Sequence, residues 1–380
     1  MSVSVLFYVQ HLLGVGHLAR ASLVAQALVA QGANVTMVTG GRPVDGFPGP
    51  GIDVVELPSV SAGPGGFGDL IDANGSPVDD VFKQDRSKKL IDTLHHRKPD
   101  VILIEAYPFG RRQMRFELRP LLAQARLQEP RPLVACSVRD ILQTRSGEKN
   151  QQTVDEITAA FDLVLVHADP AFSRLEETFP PTCEFAEKIR YTGVVSAEPG
   201  RLQDEVFDVV VSAGGGIVGE KLIRTALEAK SVSSLSTARW CIITGPNLAA
   251  PIADELAAKA GKDVSFYPSR RDFRALVANA QLSISQAGYN TAADILRAGC
   301  RSIMVPYASA GETEQTLRAA KLAERGLISA IAETELTAKK LAREIDERMA
   351  SGPIGTSHGI DLAGAECAAA VLISEAGRRL

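Results

Sequence analysis

The sequence has no C-x-x-C pair, and its five cysteines (Cys136, Cys183, Cys241, Cys300 and Cys367) are scattered and odd in number. That spacing argues against a disulfide framework and a zinc knuckle, and it suits a reducing compartment. No run approaches the ~18 apolar residues that cross a bilayer. The opening "MSVSVLFYV" also lacks the basic stretch of a secretory signal. Positive charge is not in excess: the formal net charge is −4, so nothing draws the whole chain toward nucleic acid. There is no D-x-D and no cluster of His, Cys and acids at ligand spacing, which disfavours a metal-dependent reaction. What is present is a chain of 380 residues, 45% hydrophobic and 23% charged, the balance of a globular protein long enough for two domains. A cytoplasmic protein is expected, with peripheral contact on the inner membrane face left open.

Short apolar, β-branched runs alternate with amphipathic stretches, the mark of βαβ units and a parallel sheet. Strands are predicted at Val3–Val9, Asn34–Val38, Asp53–Leu57, Asp100–Ile104, Leu133–Cys136 and Leu163–His167, with helices such as Leu18–Ala30 and Asp80–His95 between them. The glycine-rich "SVSAGPGGFGDLIDANGSPVDD" reads as a long functional loop without an element of its own. "YTGVVSAEPGRLQDE" breaks the rhythm, and the alternation restarts with strands at Asp208–Ser212, Trp240–Thr244, Val264–Tyr267, Leu282–Ser285 and Ser302–Pro306. The expected organisation is an amino-terminal domain 1–193, a linker 194–203, a second domain 204–358, and a final helix 359–380 packing back on the first domain. Both domains read as doubly wound α/β units facing a cleft, with ligands at the carboxyl ends of the strands.

Behind the first strand stands "QHLLGVGHLARASLVAQAL", with Gly14-x-Gly16-x-x-Ala19 matching a dinucleotide fingerprint on paper. Four residues separate the strand from Gly14, and the second strand ends at Thr39 where a ribose-binding acid should stand, which argues against NAD. Two readings of His17 remain: a helix-capping residue, or an imidazole at a strand-to-helix crevice that deprotonates a hydroxyl. "DVVVSAGGGIVGEKLIRTAL" puts Gly214, Gly215 and Gly216 between a strand and a helix, where backbone N–H groups can cradle a diphosphate. "EAYPFGRRQMRFEL" places Glu105 at a strand end and then Arg111, Arg112 and Arg115, either an anion-binding acceptor site or a solvated helix start. "CSVRDIL" puts Arg139 and Asp140 past another strand end.

"GVGHLARASLVAQAL" resembles the amino-terminal glycine loop of the GT-B glycosyltransferases related to MurG. "LSISQAGYNTAADILRAGCRSIMVPYASAGETEQTLRAAKLAERGLI" is similar to that group's donor-site signature. "VILIEAYPFGRRQMRFEL" and "VACSVRDIL" resemble segments of a less characterised bacterial branch of predicted glycosyltransferases. The resemblance implies a GT-B fold and a nucleotide-sugar donor, UDP-linked, with no cofactor. It assigns the donor to Ser285, Gln286, Gly288, Asn290, Thr291 and Asp294, the last on the ribose hydroxyls. Glu312 or Glu314, with Gln315, would hold the sugar. Gly14, Gly16, Arg20, Arg111, Arg112, Arg139 and Asp140 would line the acceptor side, with His17 as base and Glu105 as the alternative base. An imidazole near its ordinary pKa of ~6.5 would put an acidic limb in the rate profile near neutrality. The expected activity is an inverting, metal-independent transfer of a hexosyl or N-acetylhexosaminyl group to a lipid-linked, polysaccharide or small-molecule hydroxyl. The rival readings are a nucleotide-sugar 2-epimerase of the same fold and a non-catalytic nucleotide-sugar-binding subunit.

Overall fold

The computed structural model describes residues 2–12, 14–63, 66–201, 205–214, 219–245, 248–308 and 311–379. The chain divides into two compact units, Met1–Val195 with Ile360–Leu380, and Ser196–Gly359.

The first unit runs β1 (Ser4–Val9), α1 (Gly16–Ala30), β2 (Asn34–Thr39), β3 (Asp53–Glu56), β4 (Ser61–Gly63), β5 (Gly66–Ile71), α2 (Asp80–Arg97), β6 (Val101–Glu105), α3 (Arg115–Ala125), β7 (Leu133–Arg139), α4 (Gly147–Ala160), β8 (Leu163–His167) and β9 (Ile189–Tyr191). Among the described residues it holds a seven-stranded sheet in the order β3-β2-β1-β6-β7-β8-β9, with every pair parallel. Strands such as β1 and β6 are buried along nearly their whole length, because helices cover both faces of a parallel sheet. This explains why continuous apolar runs marked them in the sequence. The glycine-rich stretch expected to be a loop is in part a hairpin: β4 and β5 pair antiparallel, with Ala62 opposite Leu70. Leu70 packs against the core of the unit, and Asp72 Oδ1 closes the following turn by accepting from the N–H groups of Asn74 and Ser76 at 2.9 and 2.8 Å.

A buried ion pair fixes the end of β1. Arg86 of α2 and Glu117 of α3 are both fully buried, with Arg86 Nε donating to Glu117 Oε2 at 2.6 Å. Arg86 also donates to Gln10 Oε1 at 2.5 Å and to the Gly40 carbonyl at 3.0 Å, and Tyr8 donates to Glu117. Charges removed from water survive only when their hydrogen bonds are met. Here they tie the β1 exit, and hence the start of α1, to α2 and α3.

The second unit contains β10 (Val209–Ser212), α5 (Glu220–Val232), β11 (Trp240–Ile243), α6 (Ala250–Lys259), β12 (Val264–Tyr267), α7 (Phe273–Asn279), β13 (Leu282–Ser285), α8 (Tyr289–Ala298), β14 (Arg301–Met304), α9 (Glu314–Glu324), β15 (Ser329–Ala330) and α10 (Ala338–Ala350). Its described strands form a six-stranded parallel sheet in the order β12-β11-β10-β13-β14-β15. Trp240, Ile242, Leu282, Ile284 and Ile303 pack with α5 and α10 side chains on one face.

The last helix, α11 (Gly364–Gly377), belongs to the first unit and packs against α1. Val195 and Ala363 form an isolated antiparallel bridge. Gly364 sits so close to the Gly193 carbonyl that a Cβ there would collide with backbone. Among the described residues no helix is long and apolar enough to cross a membrane.

Candidate active site

In the first unit, three of the residues singled out in the sequence converge at the carboxyl end of β6. Glu105 is fully buried and ion-paired with Arg20 of α1, and its Oε1 lies 3.0 Å from His17 Nδ1. Burial alone would raise the carboxyl's pKa, but Arg20, then His17 and Ser137, outweigh it and hold Glu105 well below the usual carboxylate range. An ionised carboxylate only accepts, so His17 Nδ1 carries the proton and donates to it. The Nε2 atom keeps its lone pair. His17 remains 21% exposed, enough for a small group to reach the ring. Burial, with Arg111 nearby, pushes the imidazole from 6.5 down to about 3, against the raising effect of Glu105. That direction runs against an acidic limb near neutrality and favours the neutral imidazole there.

Several expectations for this unit change. Glu105 is not an alternative base, since a buried carboxylate paired to Arg20 does not take a proton near neutrality. Arg20 does not face an acceptor; it is 3% exposed and neutralises Glu105. Arg112 is turned onto α4, donating to the Lys149 carbonyl and to Thr153 Oγ1, and Arg115 pairs with Glu156 at 3.0 Å. Asp140 is buried, with its Oδ1 accepting from the Ile141 N–H at 2.8 Å. Arg111 stays beside His17: its Nε donates to the Gln10 carbonyl at 2.7 Å. Burial, with Arg139 adding repulsion, lowers its pKa to about 10 against the opposing pull of Glu105. Gly14 has no atom within 4 Å of where a Cβ would stand, and Gly16 is the first residue of α1. Ala106 and Arg111 both adopt left-handed backbone, φ 65° and 56°, a strain concentrated in the loop behind Glu105.

In the second unit, the candidate donor residues surround the start of α8. Gly214 has φ 71°, where any side chain is strained, and a Cβ there would come within 2.9 Å of Gln286 Oε1. Gly215 and Gly216 lie outside the described residues. Gly288 is the N-cap of α8 with no side-chain cap bond, whereas Asp79 and Thr337 cap α2 and α10. Asn290 and Thr291 are in the first turn. Asp294, one turn further, makes no hydrogen bond or ion pair among the described residues, and burial raises its pKa from 3.8 to about 7 against the pull of Arg274. By accessible surface the Asp294 side chain is half-buried. Ser285, the last residue of β13, is fully buried, and its Oγ has no hydrogen-bond partner among the described residues. Glu314 is also withdrawn: it is 3% exposed and pairs with Arg318 at 2.9 Å. Glu312 Oε1 accepts from the Glu314 N–H at 2.8 Å, at the start of α9. Gln315 Oε1 accepts from the N–H groups of Ala287 and Tyr307 at 3.0 and 3.2 Å.

The sequence reading missed Arg318. This buried guanidinium donates to the Ala287 carbonyl at 2.8 Å, so α9 grips both polar atoms of one residue in the loop before α8. Its spacing of three from Gln315 on a helix was the available signal. Ser137, His167 and Thr192, which also contact this machinery through Glu105, carried no motif. Among the described residues, no three His, Cys, Asp or Glu side chains are grouped to hold a metal ion.

Two parallel-sheet α/β units of this kind define the GT-B class of fold. Crystal structures of MurG from Acinetobacter baumannii (TM-score 0.61, 14% identity, 98% of this chain and 99% of that one) and of the glycosyltransferase SnogD from Streptomyces nogalater (TM-score 0.62, 17% identity, 99% and 100%) share it. Residues 209–354 match the glycosyltransferase family 28 C-terminal domain. The UDP-N-acetylglucosamine--N-acetylmuramyl-(pentapeptide) pyrophosphoryl-undecaprenol N-acetylglucosamine transferase of Thermotoga neapolitana is 25% identical over 195 residues, 51% of this chain and 55% of that protein. The protein of the same description from Pseudomonas putida is 27% identical over 185 residues, 47% and 51% respectively. The chain thus spans about half the length of these curated relatives. The resemblance to the MurG-like group read from the sequence is borne out.

Proposed function

We propose that the protein is a glycosyltransferase that moves a hexosyl or N-acetylhexosaminyl group from a UDP-linked sugar to an acceptor hydroxyl, with inversion. The observation that carries this reading is the His17 imidazole, oriented through Nδ1 by the buried Glu105 carboxylate and reachable at the ring. It gains weight from the family 28 match in the second unit.

In this reading His17 Nε2 takes the proton of the acceptor hydroxyl as its oxygen attacks the anomeric carbon. The bond from that carbon to the diphosphate breaks, and its electron pair stays on the leaving oxygen. Positioned proton transfer of this sort contributes ~10²–10⁴-fold. The growing imidazolium charge is stabilised by Glu105, while Arg20 keeps Glu105 ionised before the reaction. The amino terminus of α8 and the glycine loop that begins at Gly214 in the sequence would stabilise the departing diphosphate by backbone N–H groups and helix dipole, with no metal. Asp294 would take the ribose hydroxyls, with Gln286, Gly288, Asn290 and Thr291 around the nucleotide and Gln315 beside the sugar. Gly14, Gly16, Arg111 and Arg139 would line the acceptor side. The relatives' descriptions name UDP-N-acetylglucosamine as donor and a pyrophosphoryl-undecaprenol acceptor, which supports a UDP-sugar and a peripheral membrane setting here.

Calorimetric titration with UDP, followed by a UDP-hexose panel assayed for UDP release with excess chelator, tests the reading. UDP binding and acceptor-dependent, chelator-insensitive release are expected. Absence of UDP binding overturns it. Acceptor-independent incorporation of deuterium at sugar C2 in heavy water would replace it with the epimerase reading.

A further inference from the structure

Behind the His17–Glu105 pair runs a line of buried side chains, one from the carboxyl end of each successive strand across half the sheet. Glu105 ends β6, Ser137 lies opposite it on β7, His167 ends β8, and Thr192 directly follows β9. Ser137 Oγ is 2.6 Å from Glu105 Oε2 and 2.8 Å from His167 Nε2. His167 Nδ1 is 2.9 Å from Thr192 Oγ1. Ser137 and His167 are fully buried and Thr192 is 1% exposed, so no bulk water competes for these bonds.

The direction of every proton in the line follows from Glu105. The carboxylate can only accept, so the single Ser137 hydroxyl proton goes to Oε2. Ser137 Oγ must then accept from His167, which puts the His167 proton on Nε2. Burial, with Arg20 nearby, holds His167 neutral down to about 3, so its Nδ1 is a bare lone pair that accepts from Thr192. The opposite tautomer would leave two acceptors facing one hydroxyl, a buried mismatch that is expensive.

We propose that Ser137, His167 and Thr192 are positioning residues for the base: their one-way chain locks the Glu105 carboxylate and, through it, the reactive tautomer of His17. The line orients and does not conduct, because Arg20 keeps Glu105 from taking up a proton. The role in turnover rests on His17 being the base; the proton directions do not.

The test uses the full chain labelled with ¹⁵N-histidine, with imidazole tautomers read by long-range ¹H–¹⁵N spectra without substrate. His167 is expected as the Nε2–H form and His17 as the Nδ1–H form. Thr192→Val, nearly isosteric, removes the donor to His167 Nδ1. It leaves His167 Nδ1 without its donor and the ring less firmly held, and should lower kcat roughly ten- to a hundredfold, with KM for the donor and the Nε2–H tautomer of His167 unchanged. Thr192→Ser, which keeps the hydroxyl, should restore kcat. An Nδ1–H tautomer at His167 in the wild type overturns the chain whatever the activity proves to be. Wild-type turnover in Thr192→Val, or equal losses in the Val and Ser variants, overturns the positioning role.

Discussion

Gln315 holds Ala287 by its backbone N–H at 3.0 Å, with the same Oε1 atom reaching the Tyr307 N–H at 3.2 Å. Two loops, one after β13 and one after β14, are thus pinned by a single side-chain oxygen on α9. Gln315→Leu should leave two backbone donors unpaired and destabilise the protein by about 1–3 kcal/mol. Gln315→Glu keeps the acceptor and should melt close to wild type. If both variants melt like wild type in thermal unfolding, the pinning has no energetic weight.

Asp294 should make nucleotide binding depend on pH. Its carboxyl titrates near 7 because burial disfavours the charge, and the charged form is the better acceptor for ribose hydroxyls. UDP affinity measured by calorimetry should rise by roughly tenfold from pH 6 to pH 8. Asp294→Asn should abolish that slope. The stability effect has the opposite sign: a folded-state pKa above the ordinary 3.8 means that stability is lost as pH rises through 7. The Asn variant should therefore gain more in melting temperature, relative to wild type, at pH 8 than at pH 5.

At saturating donor, the rate profile of the wild type should carry no limb near 6.5, because His17 stays neutral down to about 3. His17→Ala should lower turnover by ~10²–10⁴-fold, with UDP affinity unchanged in the calorimeter. A near-neutral limb that disappears in the alanine variant would show an imidazole far less buried than the structure has it.

Glu105→Gln removes the carboxylate that neutralises Arg20, a guanidinium at 3% exposure. A loss of about 3–5 kcal/mol in chemical denaturation at pH 7 is expected from breaking one side of a buried ion pair. The double variant with Arg20→Met should recover part of that loss. Since Glu105 is held below its ordinary 4.5, the stabilisation is complete above that value and fades as pH falls below it. Wild type and variant should converge in acid.

Strands such as Leu163–His167 and Leu282–Ser285 were legible because continuous apolar runs of that length have few alternatives in a parallel sheet. The β4–β5 hairpin was not, because its glycines and a broken register hide the alternation. Three-residue β9 and two-residue β15 are too short to carry a pattern. At the candidate site, His17 and Glu105 stood out as chemistry at strand ends. Their pairing with Arg20 joins positions 85 residues apart, a contact that no local spacing encodes. Ser137 and Thr192 are ordinary residue types whose roles exist only once β6, β7, β8 and β9 lie side by side. The left-handed Ala106 and Arg111 were invisible for a similar reason: the surrounding fold imposes the strain, and neither residue type announces it.

The excursion from Ser196 to Gly359 begins and ends on the same helix. Arg297 Nε donates to Ser196 Oγ at 3.4 Å, while the His358 ring lies 3.2 Å from the carbonyl of the adjacent Leu296. The flanking residues Val195 and Ala363 are already bridged. The segment is thus a cassette in the chain: two cuts on either side of this bridge would release the second unit, whose described strands form a sheet of their own. Recombination among distant kin could exchange such a cassette whole, leaving the His17–Glu105 pair of the first unit untouched and, in the reading proposed above, changing the donor in one event.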